Sequence, residues 1–284
     1  MPSLKDLKNR INSVKKTEQI TKAMRMVAAA KLRRAQADIV AARPYAIKTN
    51  EVLMSLVSRA NPDLHPLLKV RPGKRCVLLV IASDRGLCGS FNQNVFRRAD
   101  NFIREHEDKY DELSLVLVGK RSIDYFKRRG YKIRLAVELG NASYDVAAAV
   151  GNDLVDGYIN AEYDELYIIF NEFKSAMTQI MHLDKVLPVN VPDDQHRLLE
   201  HIYEPSEEEL LDVLLPMSLK VYFYRAILES TASEHGARMT AMESASKNAG
   251  EMINKLSIRY NRARQASITT ELMEVVGGAE ALKG

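Results

Sequence analysis

Both ends of this 284-residue chain lack helix-breaking residues, and that property limits the folds open to it. From Ser3 to Ser58 there is no glycine and one proline, Pro44. From Met217 to Val276 the only glycines are Gly236 and Gly250. Apolar residues recur at Leu4, Leu7, Ile11 and Val14, then shift phase to Ile20, Met24 and Val27. Steps of three and four predict a helix, and the phase shift argues against a strict coiled-coil seam. At the other end one frame runs from Met217 through Val221, Tyr224, Leu228, Met242, Ala245, Ala249, Met252 and Leu256 to Ala263 and Ala266. His235, Arg238 and Arg259 interrupt it. Helices of this length would reach ~84–90 Å at ~1.5 Å per residue, more than a globular core buries. Such helices need a packing partner. The natural one is each other, as an antiparallel pair with alanines in both seams, although pieces of a helical bundle broken by turns fit the periodicity too. Ser206 and Glu209 form a capping-box pattern for the second helix. Pro216 is expected to kink or restart it, and Pro44 to bend the first.

The middle reads differently. Arg71-Pro72-Gly73-Lys74 has the composition of a turn or linker. Apolar runs predict strands over 77–82, 113–118, 133–137, 165–170 and 179–187. Helical stretches are expected over 92–105, over 120–129 (ended by Gly130), and over 144–156 (capped by Ser143, ended by Gly157). This alternation implies a largely parallel sheet with right-handed crossovers. Residues 160–164 and 191–200 are expected to be surface connections. The resulting divisions are 1–70, 71–205 and 206–284.

Composition bounds the function. Hydrophobic residues make up 46% and charged residues 27%, an ordinary globular balance. Two cysteines, Cys76 and Cys88, make no disulfide framework and fit a reducing compartment. The longest apolar run is far shorter than the ~20 residues of a spanning helix. The N-terminus has no signal-peptide core and enters a periodic segment at once, which leads us to expect no presequence. The net charge of +4 hides an asymmetry: residues 1–50 hold 12 Lys and Arg against three acids. Such a basic arm calls for an acidic partner surface. No aromatic residue precedes Tyr45 and the charges surround the helix, so neither nucleic acid nor a membrane surface fits well. Carboxylates on a protein fit better.

Common chemistries find no site. The first strand runs into Ser83-Asp84-Arg85-Gly86-Leu87-Cys88-Gly89, where a dinucleotide phosphate loop would lie. It holds Gly-x-x-Gly only, with Asp84 set to repel a pyrophosphate. Gly119-Lys120-Arg121-Ser122 lacks the upstream glycine of a P-loop. His196 and His201 are five apart, about 140° around a helix, and do not converge on one metal ion. Cys88 could be activated by Arg85 but fits a buried loop position better. No Gly-x-Ser-x-Gly elbow occurs. These patterns offer no cofactor site and no metal site, and an enzyme built on the α/β segment would need a pocket that they do not supply.

Three segments carry a resemblance. Ser3-Leu4-Lys5-Asp6-Leu7-Lys8 with Thr17-Glu18-Gln19-Ile20-Thr21-Lys22-Ala23-Met24-Arg25-Met26-Val27 closely resembles the N-terminal signature of the γ subunits of F-type ATP synthases. Ser83–Gly89 resembles that family's second hallmark. Ser233-Glu234-His235-Gly236-Ala237-Arg238-Met239 and Asn261-Arg262-Ala263-Arg264-Gln265-Ala266-Ser267-Ile268-Thr269-Thr270-Glu271-Leu272 resemble the third. The resemblance spans essentially the whole chain. It implies an α/β fold plus a long α-helical antiparallel coiled coil, with a Rossmann-like five-stranded α/β domain inserted between the N- and C-terminal helices. It implies a non-catalytic central rotary shaft that couples rotation of the membrane c-ring to conformational cycling of the catalytic β subunits. The implied partners are the α and β subunits, the ε subunit and the c-ring, with membrane association only through the complex. The implied location is the cytoplasmic face of a bacterial inner membrane. Arg264 and Gln265 match the pair that hydrogen-bonds a loop of β, and Thr269 and Glu271 lie in the same segment. Met24 and Arg25 match the region opposite an acidic loop of β, while Met24 equally suits seam packing. The resemblance gives Asp84, Arg85 and Gly86 a structural turn and no chemical role.

Overall fold

The computed structural model describes residues 3–57, 65–71, 73–140, 142–189 and 207–281. The elements in chain order are α1 (Leu4–Val57), β1 (Arg75–Ile81), α2 (Phe91–Glu105), β2 (Glu112–Val118), α3 (Lys120–Lys127), β3 (Lys132–Val137), α4 (Tyr144–Ile159), β4 (Glu165–Phe173), β5 (Gln179–Leu187) and α5 (Glu207–Ala281). The chain divides into two compact units: Ala28–Arg238, and Met1–Val27 with Met239–Gly284.

The first unit is built on one sheet in the order β3-β2-β1-β4-β5. β1 pairs in parallel with β2 and β4, and β2 with β3, because a helix intervenes at each connection. β4 and β5 are joined by a tight turn closed by Lys174 N–H to Thr178 O, so that pair is antiparallel. Period-two alternation sorts β1 onto two cores. Val77, Leu79 and Ile81 meet α4, the end of α1 and residues 211–227 of α5, while Cys76, Leu78 and Val80 meet α2 and α3. Each fully buried leucine here contributes roughly 1.5–3 kcal/mol. The predicted strands are all present: β2, β3 and β4 are extended by one to three residues, β5 has the expected bounds, and β1 begins two residues earlier and ends one earlier, at Ile81.

Several local expectations are corrected. Helix α4 runs through Gly157 to Ile159. A Cβ there would lie 2.4 Å from an Arg134 guanidinium nitrogen and 3.1 Å from the Tyr163 ring, so this glycine serves close packing and not termination. Ser143 precedes α4 without a side-chain cap bond. Helix α5 passes unbroken through Pro216. The lost hydrogen bond and the ring's clash with the preceding turn together cost about 3 kcal/mol, and the flanking Leu211, Leu215, Leu219 and Phe223 are all buried, which offsets it. Helix α1 contains Pro44 in its interior, as the sequence leads one to expect. Cys88 is buried and burial pushes its thiol up, as burial pushes Cys76 up to about 12, so neither is activated. Ser206, the connection 191–200, His196 and His201 lie outside the described residues.

In the second unit, residues 4–27 of α1 lie along residues 239 onward of α5. Thr21 Oγ1 meets Ser246 Oγ at 2.8 Å, Arg25 Nη1 meets Glu243 Oε1 at 3.3 Å, and Glu18 faces Gly250. As one number rises the other falls, so the helices are antiparallel. Helix α1 opens with a reciprocal cap: Asp6 N–H donates to Ser3 Oγ at 3.2 Å, and Ser3 N–H to Asp6 Oδ2 at 3.2 Å. The inferred phase shift disappears here. Ile20 and Val27 are 59% and 58% exposed, while Thr21 is buried. Leu7, Ile11, Val14, Glu18, Thr21 and Met24 instead keep a regular step of three or four on the less exposed side of the helix. A threonine satisfied by Ser246 holds a seam position that apolarity alone does not reveal. On α5 the buried positions are Met242, Ala249 and Leu256, whereas Met252, placed in the stripe by sequence, is exposed.

Candidate functional site

Two regions concentrate the residues marked by sequence. One lies at the C-terminal end of β1, where a doubly wound sheet usually binds its ligand. Here the chain fills the position with its own groups. Asp84 Oδ1 accepts from Lys120 N–H at 2.8 Å and Leu139 N–H at 3.0 Å, and its Oδ2 from Gly140 N–H at 2.8 Å. One carboxylate thus ties the loops after β2 and β3 to the loop after β1. Asn92 Oδ1 accepts from Ser83 N–H at 3.1 Å, and Ser83 Oγ donates to Arg85 O at 2.6 Å.

The carbonyls of this loop are taken by Arg238 of α5. Its Nε donates to Gly86 O at 3.3 Å, and its Nη2 to Arg85 O at 3.1 Å and Gly86 O at 3.2 Å. The same Nη2 lies 2.6 Å from Glu234 Oε1, one turn back. Arg238 and Glu234 are 9% and 6% exposed, so this is a buried ion pair. Burial favours the neutral form of Glu234 and pushes its carboxyl up, against the opposing pull of Arg238. Removing either partner of such a pair costs roughly 3–5 kcal/mol when the other stays charged. The sequence places Arg238 as an interruption of an apolar stripe and within the segment resembling the third hallmark, with no role given to it. That interruption was itself the signal: a charge on a buried face needs partners.

Two outcomes follow at this loop. Asp84→Ala leaves one half-buried and two exposed N–H groups without their acceptor, which is expected to lower unfolding free energy by about 2–3 kcal/mol in chemical denaturation. A change under half of that would mean water replaces the carboxylate fully. His235 has its pKa lowered from 6.5 to about 4, first by burial and then by the positive charges of Arg238 and Lys31. The unfolded chain therefore binds this proton below pH 6.5 and the folded chain only near 4. The contribution is complete above 6.5 and lost as pH falls toward 4. His235→Gln is expected to flatten the fall of denaturation midpoint over that window, and an unaltered slope would contradict the assignment.

The second region is the helical unit. Arg25 is exposed and its pair with Glu243 is solvent-accessible, a contact worth about 0.2–1 kcal/mol that a partner surface can replace. Met24 is half-buried. The antiparallel register carries Leu4 to the level of residues 263 and 264, so α5 beyond that point has no facing residue of α1. Arg264, Gln265, Thr269 and Glu271 are all exposed there. Thr269 Oγ1 donates to Gln265 O at 2.9 Å and Ser267 Oγ to Glu271 Oε1 at 3.1 Å, both within the helix. Arg264 makes no ion pair among the described residues. Ile268, Leu272, Met273, Val275 and Val276 are likewise exposed, the last four at 55–69%. The predicted residues thus form two patches: Met24 and Arg25 beside residue 243, and 264–271 some 21 residues (about 30 Å) farther along α5.

Among the described residues no helix is long and apolar enough to cross a membrane, and no group of three or more His, Cys, Asp or Glu side chains is placed to hold a metal ion.

Comparison with known proteins gives a consistent result. The family model described as ATP synthase matches residues 3–282. The chain is 52% identical to the ATP synthase gamma chain of Geotalea uraniireducens and 53% identical to that of Geobacter metallireducens, over 100% of each chain in both cases. Among solved structures it is similar to a chain of the central stalk and c-ring of the Tetrahymena thermophila mitochondrial ATP synthase, at 26% identity and a TM-score of 0.62, covering 80% of this chain and 99% of that one. A chain of the Euglena gracilis mitochondrial ATP synthase shares the fold with a TM-score of 0.69 at 20% identity, covering 98% and 94%.

Proposed function

This chain belongs to the ATP synthase gamma-chain family, and from that premise we propose that it is the central rotary shaft of an F-type ATP synthase. It couples rotation of a membrane c-ring to conformational cycling of catalytic β subunits during ATP synthesis or hydrolysis. Bond-making takes place on β, and this chain supplies no catalytic residue. The observation that carries the reading is the last part of α5: residues 265–281 continue as helix past the end of α1 while exposing Leu272, Met273, Val275 and Val276. Exposed apolar surface of this extent marks an interaction site.

A rotor must leave every orientation as readily as it enters it. Apolar contact is non-directional, so an apolar tip suits an enclosing collar of α and β subunits. The basic N-terminal arm suits acidic loops of β, since complementary charge steers and orients more than it adds affinity. Arg264 and Gln265, with Thr269 and Glu271, form the candidate contact with a loop of β, and Met24 with Arg25 a second one. Arginine fits that role because its planar fork engages a carboxylate and a carbonyl together. Each β conformation binds one face of the shaft best, so shaft orientation and nucleotide affinity are linked reciprocally. The α/β unit is the base, facing ε and the c-ring, on the cytoplasmic side of the bacterial inner membrane. Divisions at 1–70, 71–205 and 206–284 describe this plan.

Co-purification with α and β tests the reading. The chain is expected to be retained with them and to support ATPase activity that it lacks alone. ATP hydrolysis by the isolated chain, or failure to be retained, would overturn it.

A further inference from the structure

Among the described residues the α/β unit holds α5 by at least six directional hydrogen bonds over a short stretch of that helix. Tyr222 Oη donates to Asp184 Oδ2 at 2.9 Å. Glu229 Oε2 accepts from Phe173 N–H at 3.0 Å, and Ser233 Oγ donates to Asn171 O at 3.2 Å. Arg238 adds the three bonds to the carbonyls of Arg85 and Gly86. All six partners lie on β5, on β4 or in the loop after β1. Three of the four α5 residues (Glu229, Ser233 and Arg238) are buried, where water does not compete for the bonds.

This arrangement differs in kind from an apolar seam. Apolar contacts resist separation but let surfaces slide, because their energy has no preferred direction. Hydrogen bonds weaken steeply with misalignment and so resist rotation of a helix about its own axis. Arg238 stands last in the series, and α5 continues from it without a break into residues 239–281. Its guanidinium is fixed on one side by Glu234 and grips two successive carbonyls on the other. Those carbonyls belong to a loop that Asp84 fastens to the loops after β2 and β3. A twist applied to the sheet therefore reaches α5 through a continuous set of directional bonds.

From this the geometry points to Arg238 as the torsional joint of the rotor: a positioning residue that locks α5 against rotation relative to the α/β unit and sets the stiffness with which torque passes between them. The inference rests on the shaft reading above and adds to it the place where the load is carried. Arg238 supplies three of the six bonds described. If these share the load equally, its loss halves the stiffness, and the angular variance of the base roughly doubles because variance varies inversely with stiffness.

The test uses the chain assembled with α and β on a surface, driven by ATP. A probe is attached through Lys127→Cys on the exposed end of α3, selectively because both native cysteines are buried. The angular variance of the probe is recorded during pauses. Arg238→Met is expected to raise it about two-fold over the parent chain. Glu234 then takes a proton in place of its lost partner, so the variant need not hold a buried unpaired charge. Arg238→Lys keeps the charge but not the fork, and is expected to raise the variance to an intermediate value, which decides the matter if the Met variant does not assemble. Val150→Ala, a cavity in the core of the same unit, is expected to lower the thermal midpoint with no change in variance. Unchanged variance in both Arg238 variants, or an equal increase in Val150→Ala, would overturn the joint. A parent probe that never turns under ATP would instead overturn the shaft reading, and the joint with it.

Discussion

Gly119→Ala is expected to prevent the α/β unit from folding. Gly119 follows β2 and opens α3 with φ at +96°, a conformation that side chains rarely adopt. A Cβ added there would sit 2.1 Å from the carbonyl oxygen of Ala82 and 2.8 Å from its carbonyl carbon. Both are backbone atoms of the segment leaving β1, so no rotamer change relieves the clash. Separation requires pulling β1 from β2 where Ala82 N–H donates to Val118 O at 2.9 Å, while Gly119 is itself tied to β3 by its N–H to Val137 O at 2.8 Å. Left-handed strain alone costs about 1–2 kcal/mol, and with the clash the expected loss exceeds about 4 kcal/mol, a large share of a domain's whole stability. Gly130→Ala is the control: its φ is +75° but nothing lies within 4 Å of its Cβ. It is expected to cost only the conformational strain, about 1–2 kcal/mol. Denaturation of the two variants side by side checks the difference. Equal effects would mean that backbone conformation and not contact sets the cost.

Arg264→Ala combined with Gln265→Ala is expected to act in the opposite way, sparing the fold and impairing the complex. Both side chains are exposed, and neither has a side-chain hydrogen bond or ion pair among the described residues. Substitution at such positions changes stability by no more than about 0.5 kcal/mol. If the pair binds a loop of β in the assembled machine, its removal costs that contact in each orientation that uses it. Truncating one partner of a hydrogen-bonded charge contact costs about 2–5 kcal/mol, and each ~1.4 kcal/mol felt at the rate-limiting step is tenfold in rate. A loss of at least about ten-fold in turnover of the complex is therefore expected, with the chain's own denaturation midpoint unmoved. Unaltered turnover in fully assembled complexes would contradict the role given to these residues.

The helices at the two ends and all five strands were legible because their signals are local. Absence of glycine and spacing of three or four give a helix, and apolar runs between turn residues give a strand. What escaped depended on partners distant in sequence. Gly157 reads as a stop, yet Arg134 and Tyr163 make it a packing glycine. Thr21 reads as a gap in an apolar stripe, yet Ser246 makes it a seam residue. Asp84 reads as a carboxylate hostile to phosphate, whereas its three N–H partners come from residues 36 to 56 positions away. Arg238 reads as an interruption, and its partners lie about 150 positions back along the chain. The exposed patch at 264–271 was found by resemblance and not by pattern. Exposure without a partner leaves no periodic trace, because nothing in the same chain constrains it.

The central claim is that the chain turns as a whole while the chemistry happens elsewhere. Single molecules of the chain, assembled with immobilised α and β subunits and followed by an orientation-sensitive probe during ATP hydrolysis, test it most directly. Continuous turning in one direction that stops when ATP is removed is expected. A probe that keeps a fixed orientation while the same assembly hydrolyses ATP would contradict it.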